Sequence, residues 1–414
     1  MRILLIHKFH HALGGAERVY FDTARLLRAA GHEVAFFSMV HPKNEPTPWA
    51  RFFVSEVEYG DAGKSFRDKL RIATRIIWNH EANQKLEALI DEFQPDVAHV
   101  FNLYHQLSPS ILWVLKRRHV PVVLTLCDFK VVSPNYFLYH FDERRIWRST
   151  SGFRCIIDKA VKNSYSKSFV CALELWLHRL LGSYRTVALF LSPSQFLIDT
   201  YRSFGFRGKV QLVHHPVVTG EVNIPEKVIP LAERPEEYLY FGRFSPEKGV
   251  ETVIRAFGQL PHKKLLLVGY GPEEERLKRL VTELHLDERV AFLGGVYGED
   301  LEHIIRRVRA VIMPPVWYEN QPFVMMQTLL SGTLLIASRI GGIPDIVKDT
   351  KNGLLFEPGD VADLVRVMET LPWETYETMT AQAHATVLPY TEECYLKEVE
   401  ESYAKVLGEA SRRV

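Results

Sequence analysis

The sequence predicts an α/β protein of two doubly wound, Rossmann-like domains facing a central cleft, on three observations. Short apolar runs bounded by turn residues alternate with helical patterns, as buried parallel strands linked by crossover helices do. The alternation occurs twice, and a stretch at 219–236 containing Pro and Glu separates the two series. At 414 residues the chain is long for one domain and comfortable for two, each with its own core.

The first series opens with a strand at 3–7, a loop ending at Gly15, and a helix from about 16 to 30 that Gly31 stops. A second strand falls at 33–38. A helix covers 66–93, and Pro95 precedes a third strand at 97–101. A helix near 109–118 leads to a strand at 122–126, and strands at 187–191 and 210–214 continue the pattern. In the second series, strands are expected at 238–241, 264–268, 290–293, 310–313, 333–337 and 353–356, with helices at 249–258 and 273–284. The expected domains are therefore 1–217, completed by a C-terminal helix within 391–414, and 218–390. Ligands are expected at the carboxyl ends of the strands.

Basic and acidic residues balance at 51 Lys plus Arg and 50 Asp plus Glu, so no global field favours nucleic acid. Cys127, Cys155, Cys171 and Cys394 have neither CxxC nor CxxH spacing, which argues against a metal site or a disulfide framework. The apolar run at 1–7 lacks a cleavage-type ending and reads as a buried strand rather than a signal peptide. No run approaches the ~18 apolar residues of a spanning helix. The expected location is cytoplasmic, at most peripheral on the inner face of the cell membrane. Residues 130–182 carry nine Lys/Arg against four Asp/Glu, interleaved with Phe, Tyr and Trp. Earlier, Lys64, Arg67, Lys69, Arg71 and Arg75 stand beside Phe66, Leu70, Ile76, Ile77 and Trp78. Such segments suit an anionic membrane surface or a lipid-linked acceptor, and equally a solvated helix face over an apolar core side.

Residues 313–327 read MPPVWYENQPFVMMQ. A helix is expected to start near Pro322, because proline in a first turn forfeits no hydrogen bond. The N–H groups of Phe323 and Val324 would then suit a phosphate. Glu319, itself anionic, suits hydroxyl donors instead. Gln327, about two helical turns on, is placed on a similar face. A phosphate flanked by hydroxyls describes a nucleotide sugar. Residues 242–249 read GRFSPEKG at a strand's carboxyl end, where the planar fork of Arg243 and the point charge of Lys248 suit a diphosphate. Gly14-Gly15, Gly269-Tyr270-Gly271 and Gly341-Gly342 each fit close backbone approach to a ligand or a plain tight turn. The GxGxxG spacing of a dehydrogenase-type dinucleotide site is absent. The paired histidines His10-His11 and His214-His215 are assigned no role.

Taken together, GGAERV (14–19), TLCDFKVVSPNY (125–136), YFGRFSPEKGVETVIRAF (240–257), LLLVGYGPEEERL (265–277), WYENQPF (317–323) and SGTLLIASRIGGIPDIVKDTKNGLLFEPGD (331–360) resemble glycosyltransferase family 4, retaining enzymes of the GT-B fold. The resemblance spans almost the whole chain. It implies that Arg243 and Lys248 hold the donor's diphosphate and stabilise the leaving nucleotide. It implies that Glu319 and the backbone of Asn320, Gln321, Pro322 and Phe323 grip the transferred sugar; Gly271, read from its own strand-to-helix turn, brings backbone near a nucleoside or makes a plain turn. The Gly14-Gly15 loop would close over the phosphates. No metal and no cofactor beyond the sugar nucleotide is implied, in keeping with the lack of a DxD triplet. A UDP-sugar is the default donor, with GDP open. The implied acceptor is a glycan, lipid-linked sugar or other glycoconjugate of cell-surface polysaccharide biosynthesis.

Two positions depart from the family pattern. Gln327 stands where the second glutamate of the E-x7-E motif grips the ribose; it still accepts through its carbonyl but without charge. Cys127 stands where a histidine precedes Asp128, and a thiol is a weaker, shorter donor than imidazole. A buried small hydrophobe is the reading preferred for Cys127 over a nucleophile. The two departures define a rival: a catalytically weakened homologue serving as a nucleotide-sugar-binding or scaffold subunit.

Overall fold

The computed structural model describes residues 1–56, 72, 74–216, 229–370 and 373–411. In chain order its strands are β1 (Arg2–Ile6), β2 (Glu33–Phe37), β3 (Val97–Val100), β4 (Val122–Thr125), β5 (Tyr139–His140), β6 (Arg145–Ile146), β7 (Leu189–Ser192), β8 (Val210–Leu212), β9 (Glu237–Phe241), β10 (Lys264–Val268), β11 (Val290–Gly294), β12 (Ala310–Met313), β13 (Leu334–Ser338) and β14 (Leu354–Phe356). Two compact units emerge: Met1–Leu138 with Trp147–His214 and Tyr395–Val414, and Tyr139–Ile146 with His215–Cys394.

The first unit holds a six-stranded sheet in the order β2-β1-β3-β4-β7-β8, with every pairing parallel. Its strands are almost wholly apolar, as parallel strands buried on both faces must be; Ile3, Leu4, Leu5 and Ile6 of β1 are fully buried. The C-terminal helix Glu392–Ser411 adds Tyr395, Val399, Tyr403 and Val406 to this core. Two hydroxyls anchor it: Tyr395 to Thr23 Oγ1 at 2.7 Å and Tyr403 to His99 Nδ1 at 2.7 Å. His99 is held neutral, its pKa lowered to about 3 by burial.

The second unit holds a parallel sheet in the order β11-β10-β9-β12-β13-β14. Alternate residues of each strand enter two separate cores. Tyr238, Tyr240, Leu265, Leu267, Ala310, Ile312, Leu334 and Ile336 face one, together with helix Val250–Phe257. Leu239, Phe241, Leu266, Val268, Val311, Met313, Leu335 and Ala337 face the other, with helix Phe323–Leu330. This is the doubly wound arrangement, with a period of two on the strands and helices on either side.

Several local expectations are revised. The helix expected over 66–93 is interrupted: a new helix His80–Phe93 starts at Asn79, whose side chain accepts from the Ala82 N–H at 3.0 Å. Lys64, Arg67, Lys69, Arg71, Phe66 and Leu70 lie outside the described residues, as does most of the stretch 219–236. A boundary placed at 217/218 puts residues 139–146 in the first domain. The β5–β6 hairpin belongs instead to the second unit, where the Arg144 guanidinium donates to Glu273 at 3.0 and 3.1 Å and to Glu251 at 3.4 Å. A pair of two-residue strands cannot bury a face of its own, and Arg144 ties this one to Glu251 and Glu273 of the second unit.

Candidate functional site

In the second unit the chain builds β9, β10 and β11 outward in one direction, then returns to place β12 on the other side of β9. The order therefore reverses between β9 and β12, the place where a ligand is expected in such a sheet, beside the loops that leave their carboxyl ends. Those loops are Gly242–Lys248 and the segment from Pro314 to Pro322. They carry Arg243, Lys248 and Glu319.

Backbone contacts fasten these loops together. The Val316 N–H donates to the Glu247 carbonyl at 2.9 Å. Gly249, at φ +68°, lies so close that a Cβ would stand 2.0 Å from the Pro314 carbonyl oxygen. The turn after β13 braces the next segment: the Gly342 N–H donates to the Glu319 carbonyl at 2.7 Å, and a Cβ on Gly341 (φ +62°) would come within 2.2 Å of that same oxygen. Thus glycine at 249 and 341 is required by loop-on-loop packing.

With the loops so held, Lys248 Nζ donates to Glu319 Oε1 at 2.5 Å, across 71 residues of chain. The Trp317 indole N–H donates to the same oxygen at 2.8 Å, and its ring lies 5.2 Å from the Lys248 ammonium. Both donors address Oε1. Nothing in the sequence around Trp317 points to a role; the fold alone brings it against both charged partners.

The remaining expected residues divide. Arg243 is exposed on the β9 loop, with no ion pair among the described residues. Gly271 has a packing reason of its own, since a Cβ there would meet the Phe244 carbonyl at 2.2 Å. Pro322 precedes helix Phe323–Leu330 in extended conformation (φ −70°, ψ 133°), and the N–H groups of Met325 and Met326 return to its carbonyl. Glu319 lies in the loop, so the expectation that two helical turns place it on one face with Gln327 is corrected: between the two, only the last five residues, from Phe323 on, are helical. Gln327 itself is half-buried in that helix. The Gln321 side chain is committed elsewhere, accepting from the His215 N–H at 2.7 Å and donating to the His215 carbonyl at 3.1 Å. Asn320 and Phe323 flank it, and the Phe323 ring stacks near His215 at 6.4 Å. That use of His215 has no sequence signal.

In the first unit the order reverses between β1 and β3. The loop after β1 is tied to the residue chain after β3 by the Lys8 N–H, which donates to the Asn102 carbonyl at 2.8 Å. Gly14 caps helix Gly15–Ala29 and, like Gly15, is exposed. Nothing within the unit demands glycine at 14, where a Cβ would meet only Glu17 Oε2 at an ordinary 3.5 Å. Glu17, buried in the helix's first turn, lies 3.6 Å from His7 Nε2.

Burial dominates the electrostatics beside it. The Asp128 carboxyl is pushed up to about 6 by burial, against the opposing pull of the Lys130 N–H, Lys8 and Lys130. Its Oδ1 accepts from the Lys130 N–H at 2.8 Å, while Oδ2 is buried without a hydrogen-bond partner. Lys8 is lowered to about 8 by burial, countered by Glu17 and Asp128. The Cys127 thiol is pushed up to about 12 by burial and then by Glu17, so it carries no thiolate at neutral pH. Its Sγ lies 3.8 Å from the Thr125 carbonyl.

Two Rossmann-like parallel-sheet units in one chain, with their polar loops at strand-order reversals, define a protein of the GT-B class. The solved structure of Anabaena HepE in complex with UDP has the same fold, with a TM-score of 0.69 at 18% identity over 98% of this chain and 100% of that one. The Glycosyltransferase Family 4 profile matches residues 13–221, and that of Glycosyl transferases group 1 matches residues 224–385. The chain belongs to glycosyltransferase family 4. It is 32% identical to the sulfoquinovosyl transferase of Arabidopsis thaliana over 136 residues, 32% of this chain and 26% of that one. It is 24% identical to the O-antigen chain mannosyltransferase B of Escherichia coli over 284 residues, 62% of this chain and 70% of that one. Curated relatives matched at 31–32% identity are spanned over only 26–31% of their own length.

Proposed function

We propose that this protein transfers a sugar from a nucleoside-diphospho-sugar, a UDP-sugar by preference, to a glycan or lipid-linked acceptor of cell-surface polysaccharide, with retention at the anomeric carbon. The observation that carries the reading is the meeting of Lys248 and Glu319 at the β9/β12 reversal, a cation and a hydroxyl acceptor in contact. Lys248, with Arg243 on the same loop, takes the diphosphate; Glu319 Oε2 and the backbone of Asn320–Phe323 take the sugar hydroxyls. Gln327 accepts from the ribose. The bond from the anomeric carbon to the phosphate oxygen breaks as the acceptor oxygen bonds to the same face. The acceptor's proton passes to the departing phosphate. Such a reaction asks the protein mainly for orientation and for stabilisation of the leaving charge, which two cations on one loop supply.

The UDP preference is supported by the UDP held in HepE, and the acceptor class by the name of the E. coli relative. Gln327 and the un-ionised Cys127 thiol favour the second reading, a nucleotide-sugar-binding subunit without turnover. Incubating the purified chain with UDP- and GDP-sugars, with and without glycan acceptors, separates the two. Release of nucleotide coupled to acceptor extension supports transfer. Nucleotide binding with no release from any sugar nucleotide overturns it in favour of the binding subunit.

A further inference from the structure

Helix Tyr165–Leu181 buries one face in the first unit, through Ser168, Cys171, Ala172, Leu175 and His178. Glu174 on that face is 1% exposed and bound to Lys130 Nζ. Its other side is apolar too. Tyr165, Phe169, Leu173 and Leu180 fall at spacings that share one helical face, and all are exposed, Leu180 at 85%. Helix Gly152–Ile157 extends the stripe. Gly152 sits against the Trp176 ring, where a Cβ would come within 2.5 Å, and the Phe153 ring packs 5.0 Å from it. This seating leaves Phe153 and Ile157 exposed at 71% and 72%. Isolated exposed apolar residues need no explanation, but six large ones on two packed helices do.

The exposed charged residues over 151–182 are all basic. Arg154, Lys162 and Arg179 are exposed, and Lys159 and Lys167 are half-buried. Over 151–182 the carboxylates are Asp158 and Glu174. Glu174 is buried, and Asp158 accepts from the Trp147 indole at 2.7 Å and from Arg154 at 3.3 Å. We propose that these two helices form a docking face for an anionic lipid bilayer, with the apolar stripe entering the headgroup boundary and the lysines and arginines meeting lipid phosphates. A second copy of the chain is disfavoured as occupant, because two such faces would bring like charges together. The proposal is independent of the donor reading.

Flotation of the full chain with phosphatidylcholine vesicles, with and without phosphatidylglycerol, tests it. The wild type is expected to float with anionic vesicles, less with neutral ones, and less again as salt is raised. Phe169→Ser/Leu173→Ser/Leu180→Ser and Lys162→Glu/Lys167→Glu should each lower partitioning by about tenfold or more, and Tyr297→Ser, equally exposed on the second unit, should leave it unchanged. Phe169, Leu173, Leu180, Lys162 and Tyr297 are exposed and Lys167 is half-buried, so thermal unfolding of each variant should stay close to the wild-type temperature. Wild-type failure to float with anionic vesicles overturns the proposal. So does undiminished flotation of the triple variant, or a wild-type dimer in solution that the triple variant dissociates.

Discussion

At the scale of residues, Lys248 and Glu319 are bonded, and the proposed reaction gives them separable tasks. Lys248→Ala is expected to lower kcat/KM by about 100-fold or more and to abolish the UDP-induced rise in Tm. Glu319→Ala is expected to cost as much in kcat/KM but to keep the UDP-induced rise, since the partner proposed for it is the sugar. Equal loss of the UDP response in both variants would refute that division. In the first unit, Asp128 makes a pH prediction. Its folded pKa, about 6, lies above the ordinary 3.8. Its contribution to stability is therefore full below 3.8 and is lost as pH rises through about 6, up to about 3 kcal/mol for a shift of this size. Urea unfolding of wild type and Asp128→Asn across this window should show the wild type losing ground to the variant as pH rises. Parallel profiles would mean the carboxyl is not desolvated as described.

At the scale of elements, three strand-to-helix turns pack backbone against backbone beside Lys248 and Glu319. Gly341→Ala meets two penalties: a left-handed φ of +62°, worth about 1–2 kcal/mol, and a Cβ driven against the Glu319 carbonyl. The variant should lose stability and, beyond that, donor affinity, because the backbone carrying Glu319 must move. Gly359→Ala is the matched control: its φ is +76°, but its Cβ would meet only Val316 Cγ1 at 3.6 Å. It should lose stability with little change in KM. If both variants raise KM alike, the bracing of Glu319 by the β13 turn is wrong. This reason for glycine could not be read beforehand. A GG pair in sequence is compatible with a ligand or with a turn, and only coordinates reveal which atom occupies the space of the missing Cβ.

At the scale of the molecule, the chain ends in a helix that completes the first sheet's core. Ending the chain at 394 removes Tyr395, Val399, Tyr403 and Val406 from a closed core and takes one hydroxyl partner each from His99 and Thr23. Hydrogen exchange of the truncated chain should speed up in β1 and β3, while β9, β10 and β12 retain their protection. Uniform protection in both units would show the helix to be dispensable. Among the described residues no helix is long and apolar enough to cross a membrane.

Much of this was legible from sequence because burial is periodic. Runs such as Ile3–Ile6 and Leu265–Val268 mark strands, since a strand covered on both faces must be apolar throughout. The motifs around Arg243, Lys248 and Glu319 carried the family, because their order and spacing survive in one dimension. Periodicity says nothing of which strands become neighbours. That β9 and β12 flank the reversal, and so bring Lys248 to Glu319, was decided by the tertiary structure. The same holds for Gln321 closing on His215, for the β5–β6 hairpin joining the second unit, and for the face of helix Tyr165–Leu181 left uncovered. Local pattern determines how each segment hides its apolar surface; long-range packing alone determines what stands opposite.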